Sequence, residues 1–430
     1  MKIGVIGGGI TGLTSALELL KKGYEVTVIE NEPYWGGLAS AFEILPGVFI
    51  ERFYHHLFTN DEEILGLCRE LGIYGKLKTL DGKTSHFFEN KIYPLDDALA
   101  VLKFSPLNVF ERLRFGLVTL YLKLKKNGES FNDITADWWL RKWYGQRAYT
   151  VVWKPLLQGK FATDYDKVSM IWFWARVKKR TAKLIYPEGG FQVIIDALLK
   201  AIVEKGGTLL GRTRIEKIDQ AADSSWRIST RVVEDSGEDR RGNYSFDKLV
   251  VTTSLRTFIR LFPSLPEDYK DKIGSVRYLN AQILILVLAR RLSSHYWINI
   301  GETSFPFLVV GEQSNLFGLE YYHGKSVVYL GNYLPDGDRR LSMNSAQLLD
   351  LYLPYLKKIN PEFEKSWVDK AINFVGPFAQ PVVAIDYKDK IPSFETPLKN
   401  LYLATMAQVY PWDRGTNYAV KLAKDLTGKL

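Results

Sequence analysis

Residues 2–12 read Lys2-Ile3-Gly4-Val5-Ile6-Gly7-Gly8-Gly9-Ile10-Thr11-Gly12, and this stretch decides the fold. The small and β-branched residues at 2–6 read as a buried strand. Gly7, Gly9 and Gly12 follow in GxGxxG spacing. Leu13, Ala16, Leu17, Leu19 and Leu20 then recur at helical intervals, and Gly23 stands where that helix would end. A second strand, Glu25-Val26-Thr27-Val28-Ile29, closes on Glu30, 18 residues after Gly12. Each part has a physical task. Gly7 permits a tight turn, Gly9 lets a pyrophosphate approach the backbone, and Gly12 lets the helix pack closely on the strand. The helix start at Ile10 and Thr11 offers free N–H groups to phosphate. Glu30, with Asn31 beside it, can accept hydrogen bonds from ribose hydroxyls and would repel a 2′-phosphate. The full strand–turn–helix–strand–acid context predicts a bound dinucleotide.

The residues after Glu30 decide which dinucleotide. A second glycine pair follows in Tyr34-Trp35-Gly36-Gly37-Leu38-Ala39-Ser40. This element resembles the double-glycine segment of the FAD-dependent amine oxidases, protoporphyrinogen oxidases, phytoene desaturases and UDP-galactopyranose mutases. The resemblance implies FAD, with Gly36, Gly37 and Leu38 along its pyrophosphate and ribityl chain. The arginines that flank the glycines in amine oxidases are absent, and Tyr34 and Leu38 stand in their places.

The far end supplies a third element. Residues 400–405 read as a strand, followed by Met406 to Tyr418 and a helix carrying Ala419, Val420, Leu422, Ala423 and Leu426. Flavoproteins of this kind close in the same way. The resemblance therefore implies that Arg414, Gly415, Thr416 and Asn417 lie at the isoalloxazine, where a helix N-terminus stabilises negative charge. Their usual Gly-Asp or Gly-Glu pair is replaced here by Ala404-Thr405.

Between these ends, Tyr186-Pro187-Glu188-Gly189-Gly190-Phe191 resembles the family's lead-in to a helix at 191–205, and a strand is expected near Leu209–Ile218. Ile215 on that strand would place backbone near adenine. Further strands are expected at 226–233 and 247–253, with an exposed hairpin tip at Glu234–Asn243. The expected architecture is α/β: a Rossmann-like FAD-binding domain of the GR2 type with an interleaved α+β substrate-binding domain. The FAD domain would comprise residues 1–80, 186–256 and 370–430, and the substrate domain 81–185 and 257–369. A helix is expected at Ser345–Leu353, capped by Asn344 and stopped by Pro354.

Three features bear on chemistry. Glu51 to Asp61 holds the pair His55-His56 and resembles a flavin-side segment of the galactopyranose mutases; Asn60-Asp61 is expected to cap a helix at 61–71. His55 or His56 could steer protonation at the flavin or hydrogen-bond a substrate oxygen, and simple packing at a helix start is an equal alternative. The strand Val276–Ile283 carries no lysine, unlike the strand that holds the amine-oxidase lysine, which disfavours a simple amine substrate. Arg176 and Arg277 are loose counterparts of the mutase arginines that grip a diphosphate, though solvated arginines are the plainer expectation.

The first insert joins apolar residues from Val101 to Asn127 with Lys103, Arg112, Arg114, Lys123, Lys125 and Lys126, against Glu111 alone. Ile171-Trp172-Phe173-Trp174 runs into Arg176 to Arg180. Such stretches either fill a core and pocket or contact an anionic membrane through 101–126 and 171–183. Aromatics make up 13% of the 430 residues, and the net charge is +9. That charge suits an anionic substrate or lipid surface and gives no reason to expect nucleic acid. A single cysteine, Cys68, excludes a disulfide framework, and with five histidines no metal is expected. The longest apolar run, Ile283–Ala289, is too short to span a bilayer. A cytoplasmic protein is expected, free or attached to the inner membrane face.

The leading reading is a protoporphyrinogen-oxidase- or desaturase-like enzyme. Hydride would pass to flavin N5 from a large, partly apolar or anionic small molecule, with oxygen or a quinone as acceptor. A mutase using reduced flavin as a nucleophile, and a flavin-free lipid or partner binder like the GDP-dissociation inhibitors, remain as alternatives.

Overall fold

The computed structural model describes residues 1–233 and 239–430. The opening strand, Lys2–Ile6, is central in a five-stranded sheet. Its order is Thr208–Leu210, Glu25–Ile29, Lys2–Ile6, Lys248–Val251, Leu401–Leu403, and every pair is parallel. Parallel strands need crossovers that cover the sheet, so their residues are buried on both faces. Ile3, Val5, Val28, Leu249 and Val250 are accordingly inaccessible. The first helix, Ile10–Lys21, packs against Gln192–Glu204 and the terminal helix Thr416–Thr427. An antiparallel meander, Thr213–Gln220, Trp226–Val233 and Asp239–Phe246, lies between the third and fourth visits to the sheet. Of the hairpin tip expected at 234–243, residues 234–238 lie outside the described residues, and 239–243 belong to the last strand of this meander.

The second sheet has seven strands in the order Val368–Pro381, Tyr278–Leu288, Ser326–Leu334, Val309–Glu312, Trp297–Ile300, Thr84–Phe88, Lys91–Pro94. Tyr278–Leu288, apolar except for Asn280 and Gln282, is buried along its whole length, and those two side chains donate to the Asp336 carboxylate and the Arg340 carbonyl. Val368–Pro381 pairs with it, so this sheet runs past the boundary expected at residue 370 and on to Pro381. Helices between Ala98 and Lys179 pack around a core that includes Trp139, Trp172 and Trp174.

Several local expectations are corrected. Pro354 lies inside a helix, Ser345–Ile359, and does not end it. The cost of an internal proline is about 3 kcal/mol. Burial of Leu356 and Ile359 beyond it offsets that, at roughly 1.5–3 kcal/mol per side chain. Asn344 does cap this helix, in a capping box with Gln347. Asp61 does not cap Glu62–Glu70, because its carboxylate accepts from the Phe58 N–H instead. Trp172 and Trp174 are 0% and 3% exposed, so the 171–175 part of the expected membrane-facing stretch is core. Its helix, Met170–Lys179, presents only the basic end at 176–179 to partial solvent.

Candidate active site

The glycine turn takes the conformation its residues permit. Gly7 has φ +109°, reachable without strain only by glycine. A Cβ on Gly12 would lie 1.9 Å from the Gly7 carbonyl oxygen, so only glycine lets the helix sit this close to the strand end. Gly9 differs: a Cβ there would meet nothing nearer than 3.9 Å, because its outer side is open. No side chain caps the helix at Gly9, and the first-turn N–H groups of Ile10, Thr11 and Gly12 have no side-chain cap.

The second glycine element folds onto the first. Gly36 N–H donates to the Gly8 carbonyl at 2.8 Å, and Gly9 and Gly36 form a parallel bridge. Gly36 (φ +100°) and Gly37 (φ +58°) are both left-handed, and a Cβ on Gly37 would lie 3.2 Å from the Gly9 Cα. Two segments separated by a helix and a strand thus form one glycine-walled cradle. The Arg52 guanidinium stacks on the Tyr34 ring at 3.8 Å. An arginine therefore returns, from a different strand, beside the position where the amine-oxidase pattern has one.

Glu30 lies at the end of the second strand, and its carboxylate accepts from Gly8 N–H at 2.6 Å and Glu32 N–H at 2.8 Å. Burial raises its pKa, and the backbone donors at Glu32 and Gly8 oppose that rise. Asn31 bonds the neighbouring Glu32 carboxylate on the surface. Thr213 N–H donates to the Glu30 carbonyl, which carries the strand bearing Ile215 past this end of the site. Ile215 does not line the cavity described next.

A cavity of about 220 Å³ runs from Leu38 to the start of the terminal helix. Of the residues singled out in the sequence, Leu38, His55, His56, Arg414, Gly415, Thr416 and Asn417 meet on its wall. A Cβ on Gly415 would touch nothing within 4 Å. The Asn417 side-chain oxygen accepts from Glu63 and Ile64 N–H, so it supplies the helix cap expected from Asn60-Asp61. Asn60 instead donates to the Lys179 carbonyl.

Both histidines are enclosed. His55 Nδ1 lies 2.6 Å from the Phe53 carbonyl, which can only accept, so Nδ1 carries the proton and Nε2 is left as an acceptor. Burial pulls the His55 pKa down to about 4. His56 is pulled to about 3, by burial first and then by Arg180, His55 and Arg176. Its Nδ1 is buried with no partner. Both rings are therefore neutral at pH 7, able to hydrogen-bond and unable to store a proton.

The cavity also gathers a charged group that the sequence reading passed over. Asp413 accepts from Arg176 at 2.7 Å, Lys160 at 3.0 Å and Trp172 Nε1 at 3.1 Å. Burial alone would raise this carboxyl, yet Lys160, Arg176 and Arg414 outweigh it and hold it well below the usual carboxylate range. Burial pulls Lys160 down to about 8, with Asp413 opposing. Arg414 donates to the Tyr333 hydroxyl at 2.5 Å, and Tyr54 lies on the same wall. Burial raises the Tyr333 phenol, but Arg414 and Lys160 prevail and leave it below its ordinary value. With Lys179 and Arg180, five cations face two carboxylates, Asp413 and Asp61.

Apolar walls come from Phe53, Leu156, Ala281, Ile283 and Leu308. Ala281 and Ile283 belong to the strand without a lysine; the cavity's Lys160 arrives from a helix, Lys154–Phe161, of the other insert. Arg176 is in the cavity, whereas Arg277, over half exposed, lies outside it and pairs with the buried carboxylate of Asp164. Lys160 and Arg180 had no local signal, because their contacts lie far away in sequence, 253 residues for Lys160 with Asp413 and 96 for Arg180 with Thr84.

The residues present fit an FAD. The glycine cradle is open where a pyrophosphate would pass, a helix N-terminus faces it without a cap, and the cavity leads on to a second helix start at Gly415.

A family model described as flavin containing amine oxidoreductase matches residues 10–411. Among curated proteins, the chain is similar to zeta-carotene desaturase of Zea mays, 27% identical over 194 residues, or 39% of this chain and 34% of that protein. The Arabidopsis thaliana zeta-carotene desaturase is 24% identical over 261 residues, or 53% of this chain and 46% of that protein. The alignments thus span about a third to a half of these relatives' lengths. Among solved structures, an oxidoreductase from Methanosarcina mazei superposes with a TM-score of 0.75 at 17% identity, covering 100% of each chain. Reduced UDP-galactopyranose mutase superposes with a TM-score of 0.73 at 15% identity, covering 100% of this chain and 94% of that one. These superpositions establish a shared fold.

Proposed function

Because the chain belongs to the flavin containing amine oxidoreductase family, we propose that it is an FAD-dependent oxidoreductase of the desaturase and protoporphyrinogen-oxidase kind. The single observation that carries this reading is the glycine cradle, next in sequence to Leu38 on the wall of an apolar cavity lined by cations. Gly7, Gly9, Ile10, Thr11 and Gly12 would hold the pyrophosphate, with Glu30 and Asn31 at the ribose and Ile215 at the adenine. Gly36, Gly37 and Leu38 would follow the ribityl chain, and Arg414 to Asn417 would face the ring. Bound FAD would supply the two-electron acceptor for a hydride leaving a substrate carbon, with oxygen or a quinone downstream.

The protein's own residues do the rest. Apolar walls exclude water and take the bulky part of a substrate. Arg176, Arg180, Lys160 and Lys179 attract and orient an anionic group. His55, neutral with Nε2 free to accept, can hold a substrate hydroxyl or N–H. The exposed apolar helix Val109–Leu124 supports contact with a membrane surface.

The cationic wall also favours one second reading, a mutase acting on a nucleotide sugar, since paired arginines suit a diphosphate. The test is to purify the protein, reconstitute it with FAD and record its spectrum. A reconstituted flavin bleached anaerobically by an oxidisable substrate and restored by air supports the oxidoreductase. Turnover of a nucleotide sugar only after dithionite reduction, with no net electron transfer, supports the mutase. Failure to bind FAD at all defeats both.

A further inference from the structure

The helix Val109–Leu124 has two apolar faces. Phe115 and Leu122 on one are buried in the core. Phe110, Leu113, Leu117, Leu120 and Leu124 fall at successive spacings of three and four on the other, and each is at least half exposed, Phe110 by 82%. No part of the described chain covers this stripe. Its surroundings are cationic: Arg112, Arg114, Lys123, Lys125 and Lys126 lie on or just past the helix, against Glu111. Such a stripe would be a liability in water unless something apolar with a negative surface receives it.

The end of this helix meets the cavity. Lys123 Nζ donates to the Arg180 carbonyl, and Lys178 Nζ donates to the Lys123 carbonyl at 2.6 Å. Lys179 and Arg180 are wall residues of the cavity, one turn from Arg176. The end of the stripe helix is thus hydrogen-bonded to the segment that supplies Arg176, Lys179 and Arg180 to the cavity wall.

Building on the oxidoreductase and membrane-contact reading above, we propose that the substrate is an anionic lipid drawn from a bilayer. The stripe docks in an anionic membrane surface. The phosphate headgroup is held by Arg176, Arg180, Lys179 and Lys160, and the hydrocarbon lies along the apolar wall and out past Lys123. Arginine and lysine together suit phosphate, and five cations against two carboxylates leave charge for a doubly negative head. Each leucine withdrawn from water into the bilayer adds hydrophobic stabilisation, so several together suffice for reversible attachment.

The test uses FAD-reconstituted full-length protein and needs no turnover. Sedimentation with phosphatidylglycerol-containing vesicles should recover the protein, and pure phosphatidylcholine vesicles should not. The double variant Leu117→Glu/Leu120→Glu, changed at exposed positions, should melt as the wild type does and lose at least about tenfold in vesicle binding. In a second arm, tryptophan fluorescence (Trp297 lines the cavity) follows titration with farnesyl diphosphate, inorganic pyrophosphate and farnesol. Farnesyl diphosphate should bind at least about tenfold more tightly than either of the others, and Arg180→Gln should weaken it. Pyrophosphate binding as tightly as farnesyl diphosphate would overturn the lipid in favour of a soluble anion. Unchanged vesicle binding by the double variant would overturn the docking face, as would a stable wild-type dimer that this variant dissolves. An absence of flavin chemistry would sink the oxidoreductase reading and the lipid's role as its substrate, while membrane docking and anionic-lipid binding, which these two arms measure, would stand or fall on their own.

Discussion

Gly9→Ala and Gly12→Ala differ by three positions and by opposite physics. At Gly9 the backbone is extended, with φ −74° and ψ 176°, which any L-residue adopts. A Cβ there meets nothing within 3.9 Å. Alanine should therefore leave the FAD-free protein folded, and by restricting the unfolded chain it should add about 0.4–1 kcal/mol. The same methyl group would stand where a pyrophosphate has to approach the first-turn N–H groups. Loss of one charge-assisted hydrogen bond costs about 1.5–3 kcal/mol, so FAD affinity should fall by roughly tenfold to 150-fold. At Gly12 the added Cβ would sit 1.9 Å from the Gly7 carbonyl oxygen, a backbone atom that cannot swing aside. That overpacking should cost about 1–3 kcal/mol or more even without FAD. Thermal melting of both FAD-free variants, with FAD titration followed by quenching of flavin fluorescence, separates the two effects. Gly9→Ala should melt no lower than the wild type and bind FAD poorly, while Gly12→Ala should melt early. If Gly9→Ala binds FAD with wild-type affinity, the cradle is not the pyrophosphate site.

Asp413→Asn leaves Lys160 and Arg176 without their shared counter-charge and should destabilise the protein by about 3 kcal/mol in urea unfolding. Because Asp413 is held below the usual carboxylate range, its contribution is present above the ordinary carboxylate pKa and lost only as pH falls through its lower folded value, so this deficit should persist at pH 5. Glu51 behaves oppositely: buried beneath Tyr186 and the Phe191 N–H, it is raised by burial from 4.5 to about 7. Stability is then lost as pH rises from about 4.5 through 7, and Glu51→Gln should gain on the wild type between melts at pH 5 and pH 8; an equal difference at both pH values would contradict the assignment. Trp172→Ala, at a fully buried ring packed 4.7 Å from Phe161, should cost about 3–5 kcal/mol in denaturant unfolding. Phe110→Ala, at a ring 82% exposed, should cost less than about 0.5 kcal/mol in the same measurement.

Much of the glycine-turn geometry was legible in the residues because its signals are local. The turn at Gly7, the close approach at Gly12 and the helix start at Ile10 depend on neighbours within a few residues, so spacing alone identifies them. The double glycine and the terminal helix were legible through resemblance, and the structure adds that Gly37 lies against Gly9. Length and apolar spacing also placed the strands at Lys2–Ile6 and Glu25–Ile29. Pro354 misled because a local rule was outweighed by burial of the turn beyond it.

Sequence by itself determined that this chain builds a nucleotide-binding parallel sheet, that it is rich in aromatics beside basic residues, and that its second-sheet strand carries no lysine. Only the tertiary structure decided what those aromatics and charges do. Trp172 and Phe110 sit in similar apolar, basic contexts, yet one is core and the other surface, because burial is set by which helix face meets another element. Lys160, Arg176 and Asp413 are up to 253 residues apart and meet on one cavity wall. Hydrogen-bond and Coulomb energies depend on distance in space, and the chain's folding, through strand order and helix packing, sets that distance.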